Sequence, residues 1–64
     1  MKPTPRQRRF AVEYLKDLNA TQAAIRAGYS AKTAKQAGSR LLTKVDLQGL
    51  IQAGLKRQEE KALL

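Results

Sequence analysis

The sequence predicts an all-α protein, a compact three- to four-helix bundle containing a helix-turn-helix. Apolar residues recur at helical spacing, and no stretch alternates apolar and polar residues long enough to form a strand. Capping and turn residues cut the chain into four segments. The 64 residues suffice for one small, marginally stable core and leave no room for a second.

The first helix opens at Thr4-Pro5-Arg6-Gln7. Thr4 and Gln7 are spaced to satisfy each other's backbone N–H groups as a capping box, and Pro5 falls where a missing N–H costs nothing. Ala11, Tyr14, Leu15 and Leu18 then repeat at helical spacing beside Phe10. Arg6, Arg9, Glu13 and Lys16 are expected on another, polar face. Phe10 and Tyr14 read as core anchors.

The second helix starts after Asn19, a good N-cap with Gln22 three residues on. It is short and rich in Ala, and it stops at Gly28, the residue suited to a left-handed C-terminal position.

The third helix is expected from Ala31 to about Leu42, with Ser30 as its N-cap. Ala34, Ala37, Gly38 and Leu41 form a stripe of mostly small residues at i, i+3, i+4 and i+7, fit to face a core. Lys32, Lys35, Gln36, Ser39 and Arg40 form the opposite face, which is wholly polar and mostly basic.

The fourth helix is placed near Thr43, with Asp46 as a weaker capping partner. Leu47, Leu50, Ile51, Gly54 and Leu55 would be its apolar face. Gly49 and Gly54 each lower helix propensity by about 1 kcal/mol relative to Ala, so this helix is expected to be the least stable or to depend on docking. Residues 1–43 are read as a helix-turn-helix core with a basic N-terminal arm. Residues 44–64 are read as a fourth helix whose polar end leads toward a linker.

The second and third segments carry the functional signal. Two helices joined by a turn of about three residues containing Gly make the helix-turn-helix arrangement. Relative to Gly28, a small residue is needed four positions earlier, and Ala24 is there. A core plug is needed one position later, and Tyr29 is there. Core-facing residues are needed six and nine positions later, and Ala34 and Ala37 are there. An antiparallel helical hairpin meets part of this pattern too, but it does not explain the basic outer face of the third helix.

Charge agrees with a polyanionic partner. Thirteen Lys and Arg stand against five Asp and Glu, giving a net charge of +8. The excess is uneven: residues 1–40 carry +7 of it. With no Cys and no His, disulfides, thiol catalysis and zinc sites are excluded, and no metal or other cofactor is expected. There is no phosphate-binding Gly loop and no pair of carboxylates in an apolar setting, so the chain reads as non-enzymatic. No apolar run approaches a membrane span, and no signal peptide is evident. A membrane-active peptide should show a wide apolar face opposite its cations, which the third helix lacks. An RNA reader usually exposes aromatics for stacking, and Phe10, Tyr14 and Tyr29 all look needed for the core.

In a helix-turn-helix the second helix enters the major groove of DNA. Lys32, Lys35, Gln36, Ser39 and Arg40 supply the side chains that pair with base edges or phosphates there. Ser30 and Thr33 sit where backbone N–H groups and the helix dipole favour a phosphate. Lys2, Arg6, Arg8 and Arg9 are candidates for backbone or minor-groove contact, and Arg26 is a further phosphate candidate.

At this point the residues resemble a known family. The run Asn19-Ala20-Thr21-Gln22-Ala23-Ala24-Ile25-Arg26-Ala27-Gly28-Tyr29-Ser30 closely resembles the signature of phage terminase small subunits. Thr4 to Phe10 with Glu13-Tyr14-Leu15, and Gly38-Ser39-Arg40-Leu41-Leu42, are similar to the same family. The resemblance covers residues 4–52. One departure is Lys44, where the family often has Pro at the start of helix four, which bears on that cap alone. The resemblance implies a domain that recognises a packaging-initiation site in double-stranded viral DNA, in the cytoplasm of a bacterial host. It also implies ring assembly and contact with the large terminase subunit, an ATPase and nuclease, through regions C-terminal to the DNA-binding domain. The isolated domain is then expected to be monomeric. A helix-turn-helix transcriptional regulator or a transposase DNA-binding domain is the alternative.

Overall fold

The computed structural model describes residues 3–63, with side chains through residue 59. The described residues form four α-helices and no strand: α1 (Pro5–Asp17), α2 (Ala20–Arg26), α3 (Ala34–Leu42) and α4 (Val45–Leu63). Packing is chiefly α2 on α3, with α1 against both α2 and α4. The expected fold class stands, and Lys2 lies outside the described residues.

Helix starts follow the local capping chemistry where a single cap is on offer. Thr4 Oγ1 accepts from the Gln7 N–H at 3.1 Å, and the Gln7 side chain accepts from the Thr4 N–H at 3.0 Å. The expected capping box is complete, with Pro5 in the first turn. Asn19 Oδ1 accepts from the Gln22 N–H at 3.1 Å and starts α2.

Both stops use left-handed backbone. α2 ends as anticipated at Gly28, whose φ is +106°. The Tyr29 N–H donates to Ala24 O and the Gly28 N–H to Ile25 O, each at 3.0 Å, which is the Schellman pattern. α1 ends at Leu18, with φ 56° and ψ 29°. Sequence periodicity put Leu18 on the apolar face, but its side chain is 56 % exposed.

α3 begins later than expected. Its N-cap is Thr33, not Ser30, and residues 31–33 form a turn. The Thr33 N–H and hydroxyl both donate to Ser30 O, which closes a tight i→i+3 turn ahead of the helix. The connection from α2 is therefore longer than a three-residue turn, but α2 and α3 still pack tightly against each other. Gly38 makes this possible: a Cβ there would stand 2.8 Å from Ala20 O, a backbone atom that cannot step aside.

Thr43 does not start α4. Its hydroxyl donates to Arg40 O at 2.7 Å and finishes α3 instead. α4 then runs from Val45 with Asp46 in its first turn, where an acidic side chain complements the helix dipole. Of its expected apolar face, Leu47 and Ile51 are buried and Gly54 and Leu55 half-buried, whereas Leu50 is exposed. A methyl group of Leu15 takes the space that a Cβ on Gly54 would fill, so α4 lies close on α1 there.

The core gathers Phe10, Ala23, Ala24, Ala34, Leu41 and Leu47, with Tyr14, Tyr29 and Ala37 packed against it. Phe10 and Leu47 are its largest fully buried side chains. Phe10 stacks on Tyr14 with ring centroids 5.9 Å apart. The four positions tested around Gly28 behave as expected: Ala24 and Ala34 are fully buried, and Tyr29 and Ala37 are half-buried.

Candidate nucleic-acid interface

Gly28 and Gly38 set the position of α3. The first turns the chain sharply out of α2, and the second lets α3 lie against the start of α2. Ala34, Gly38 and Leu41 are consumed by that packing. The side chains of Lys32, Thr33, Lys35, Gln36, Ser39 and Arg40 are left exposed. No Asp or Glu occurs anywhere from residue 18 to residue 45, so nothing local in sequence neutralises this face.

Each helical residue turns by about 100°, so the exposed arc of α3 has two edges. Lys35 and Ser39 lie along one. Thr33, Gln36 and Arg40 lie along the other, and they border an open groove of about 710 Å³. Gln7 of α1 and Lys44, just beyond α3, complete its polar walls, and Tyr29, Ala37 and Leu41 supply apolar surface. Sequence reasoning missed Gln7 and Lys44. Lys44 extends the spacing of Gln36 and Arg40 by four, a signal that was present but lay past the end of the helix.

Arg6 joins this region through the turn. Its guanidinium lies over the Tyr29 ring, 5.3 Å from the centroid, a cation–π geometry that fixes the start of α1 against the α2–α3 connection. Ser30 is exposed, and its carbonyl is occupied by Thr33. Thr33 makes no side-chain cap bond to α3.

Arg9 and Arg26 are placed differently. Glu13, expected with Arg9 and Lys16 on the polar face of α1, is only 2 % exposed and holds three cations. Arg9 Nε and Lys16 Nζ each lie 3.0 Å from Glu13 Oε2, and Arg26 Nε lies 2.8 Å from Oε1. Arg26 also donates to Glu13 O at 3.0 Å and to Asp17 Oδ1 at 3.1 Å. This cluster ties α1 to α2. The hydrogen bond from Lys16, aided by Arg26, holds the Glu13 carboxyl below its ordinary value, although desolvation opposes the shift. The Arg26 hydrogen bond likewise lowers Asp17, and Asp17 in turn raises Arg26. The sequence signal for the clamp was the i−4 and i+3 placement of Arg9 and Lys16 around Glu13. The third partner, from α2, had no local signature.

A family model for the terminase small subunit matches residues 4–64. The chain belongs to the terminase small subunit family. It is 45 % identical over 64 residues to the terminase small subunit of Bacillus phage SF6, covering 98 % of this chain and 44 % of that protein. It is 43 % identical over 60 residues to the corresponding subunit of Staphylococcus phage 80alpha, covering 92 % of this chain and 41 % of that protein. The PBSX phage terminase small subunit of Bacillus subtilis strain 168 is 60 % identical over 37 residues, 58 % of this chain and 14 % of its own. The chain thus spans less than half the length of these terminase small subunits. No solved structure gives a significant match. The terminase match includes all four helices and every residue of the α3 face. Among the described residues no helix is long and apolar enough to cross a membrane.

Proposed function

We propose that these residues are the DNA-binding domain of a terminase small subunit, which recognises double-stranded viral DNA at the packaging-initiation site in the host bacterial cytoplasm. The observation that carries this reading is the outward face of α3. Lys35, Gln36, Ser39 and Arg40 are exposed together on a short helix packed by its other side, with Lys32 exposed in the turn before it and no acidic residue beside them in sequence. A major groove admits one α-helix, and Lys, Arg and Gln are the side chains that pair with guanine, adenine and phosphate there. Thr33 stands at the start of the helix, where a phosphate is favoured, and Ser30 is exposed ahead of the turn before it. Arg6, pinned over Tyr29, is a backbone contact beside them, and Lys2 belongs to the same N-terminal arm. Arg9 and Arg26 contribute less, because Glu13 and Asp17 already hold them.

The domain acts by binding alone, without catalysis or cofactor. Recruitment or regulation of the large terminase subunit and assembly into a ring are roles of the longer protein, and the isolated domain is monomeric. Rings would multiply weak individual contacts by avidity. A transcriptional regulator or transposase domain would offer a similar helix, but the terminase match over residues 4–64 favours packaging.

Fluorescence anisotropy with a labelled duplex tests the DNA reading. If about four cations engage phosphates, log K should fall with log salt at a slope near −3.6. A duplex bound with no dependence on salt, or left unbound at 50 mM salt, would contradict it.

A further inference from the structure

The groove beside α3 combines two kinds of surface that no single simple ligand needs. Arg40 and Lys44 put two cations on its wall, and Gln36 and Gln7 add amide groups. Tyr29, Ala37 and Leu41 give it an apolar lining. A free phosphate has no use for the apolar part, and a purely apolar helix has no use for the cations. A nucleic-acid strand fits both, because it alternates an anionic phosphate with the apolar face of a deoxyribose. The groove is also continuous with the exposed face: Gln36 and Arg40 belong to each.

We infer that this groove seats the sugar–phosphate backbone of one DNA strand, and that base reading is left to the opposite edge of α3, at Lys35 and Ser39, with Lys32 in the turn before it. The inference rests on the DNA-binding reading above and divides its residues by role. Arg40 and Lys44 bind phosphate, Gln36 and Gln7 donate amide hydrogens to the same strand, and the half-buried Tyr29 and Ala37 pack against the sugars. Phosphate contacts set position without carrying sequence, whereas base contacts carry it. Lys44, outside the helix, therefore counts as a binding residue.

The test uses the 64-residue chain and its Arg40→Gln, Lys44→Gln and Lys35→Gln variants, with circular dichroism to check that each is folded. All three residues are exposed, so the fold tolerates the changes. Two readouts are taken: the salt slope on a mixed-sequence duplex, and the sequences enriched from a randomised duplex pool. Arg40→Gln and Lys44→Gln should each make the slope shallower by about 0.9 and leave the enriched sequences unchanged. Lys35→Gln should alter the enriched sequences. Groove variants with the wild-type slope would overturn the inference and leave the groove to another ligand, such as an acidic protein segment. Altered enrichment by Arg40→Gln would overturn it as well. If the wild-type chain binds no duplex, the DNA reading itself fails and the inference with it.

Discussion

Leu18 holds a left-handed backbone, with φ 56°, that costs a non-glycine residue about 1 kcal/mol. Its side chain is 56 % exposed, so little packing offsets that cost. Leu18→Gly is expected to raise stability by roughly 0.5 kcal/mol, after the entropy that glycine adds to the unfolded chain. A higher urea midpoint at constant m-value would show this, and a lower midpoint would mean that Leu18 packs better than its exposure suggests. Gly28 is the converse case. At φ +106° a β-branched side chain is strained, and Gly28→Val should destabilise by roughly 2 kcal/mol or more. In so small a domain that is a large share of the total stability, and an unchanged melting temperature would mean the turn is placed wrongly. Gly28 was legible because its place follows from the spacing of Ala24, Tyr29, Ala34 and Ala37. Leu18 was not, because a leucine at helical spacing reads as core, and nothing local marks the turn to Asn19.

At the scale of elements, the helices that open on one unambiguous cap were legible. Thr4 with Gln7 and Asn19 with Gln22 each present a single local solution. The start of α3 was not, because Ser30 and Thr33 are both cap residues and the bond between them favours a turn before the helix. Thr43 misled for a related reason: its hydroxyl can serve the helix before it or the one after, and it serves the one before. α4 carries a glycine with no such excuse. A Cβ on Gly49 would meet nothing within 4 Å, so Gly49→Ala should stabilise α4 by up to about 1 kcal/mol. Thermal melting checks this, and a lower melting temperature would show that Gly49 touches something absent from this geometry. Gly38→Ala should do the opposite and push α3 away from Ala20, lowering both stability and DNA affinity.

For the whole molecule, the Glu13 clamp links stability to pH. Glu13 and Asp17 titrate below their ordinary values of 4.5 and 3.8. Their contribution is therefore complete above the unfolded values and is lost as pH falls through the lowered folded ones. With no His in the chain, stability should stay flat from pH 7 to about 5 and fall below about 4.5. Glu13→Gln should flatten the acid limb, and an acid limb of unchanged shape in that variant would remove the clamp from the account. The clamp also explains why the candidate interface was only partly legible. Exposed basic residues look alike in sequence, and only the fold reveals that Arg9 and Arg26 are held by carboxylates while Arg40 and Lys44 share a groove. The residues of α3 were legible, since its small-residue stripe fixes which side faces out.

The proposed DNA interface is α3 with the residues around it. An NMR titration of the 64-residue chain with a short duplex at low salt tests it most directly, by following backbone amide shifts residue by residue. Shifts concentrated from Ser30 to Lys44 and around Arg6, with little change along the outer part of α4, are the predicted result. Shifts confined to α4, or none, would contradict it and point to a protein-interaction role instead.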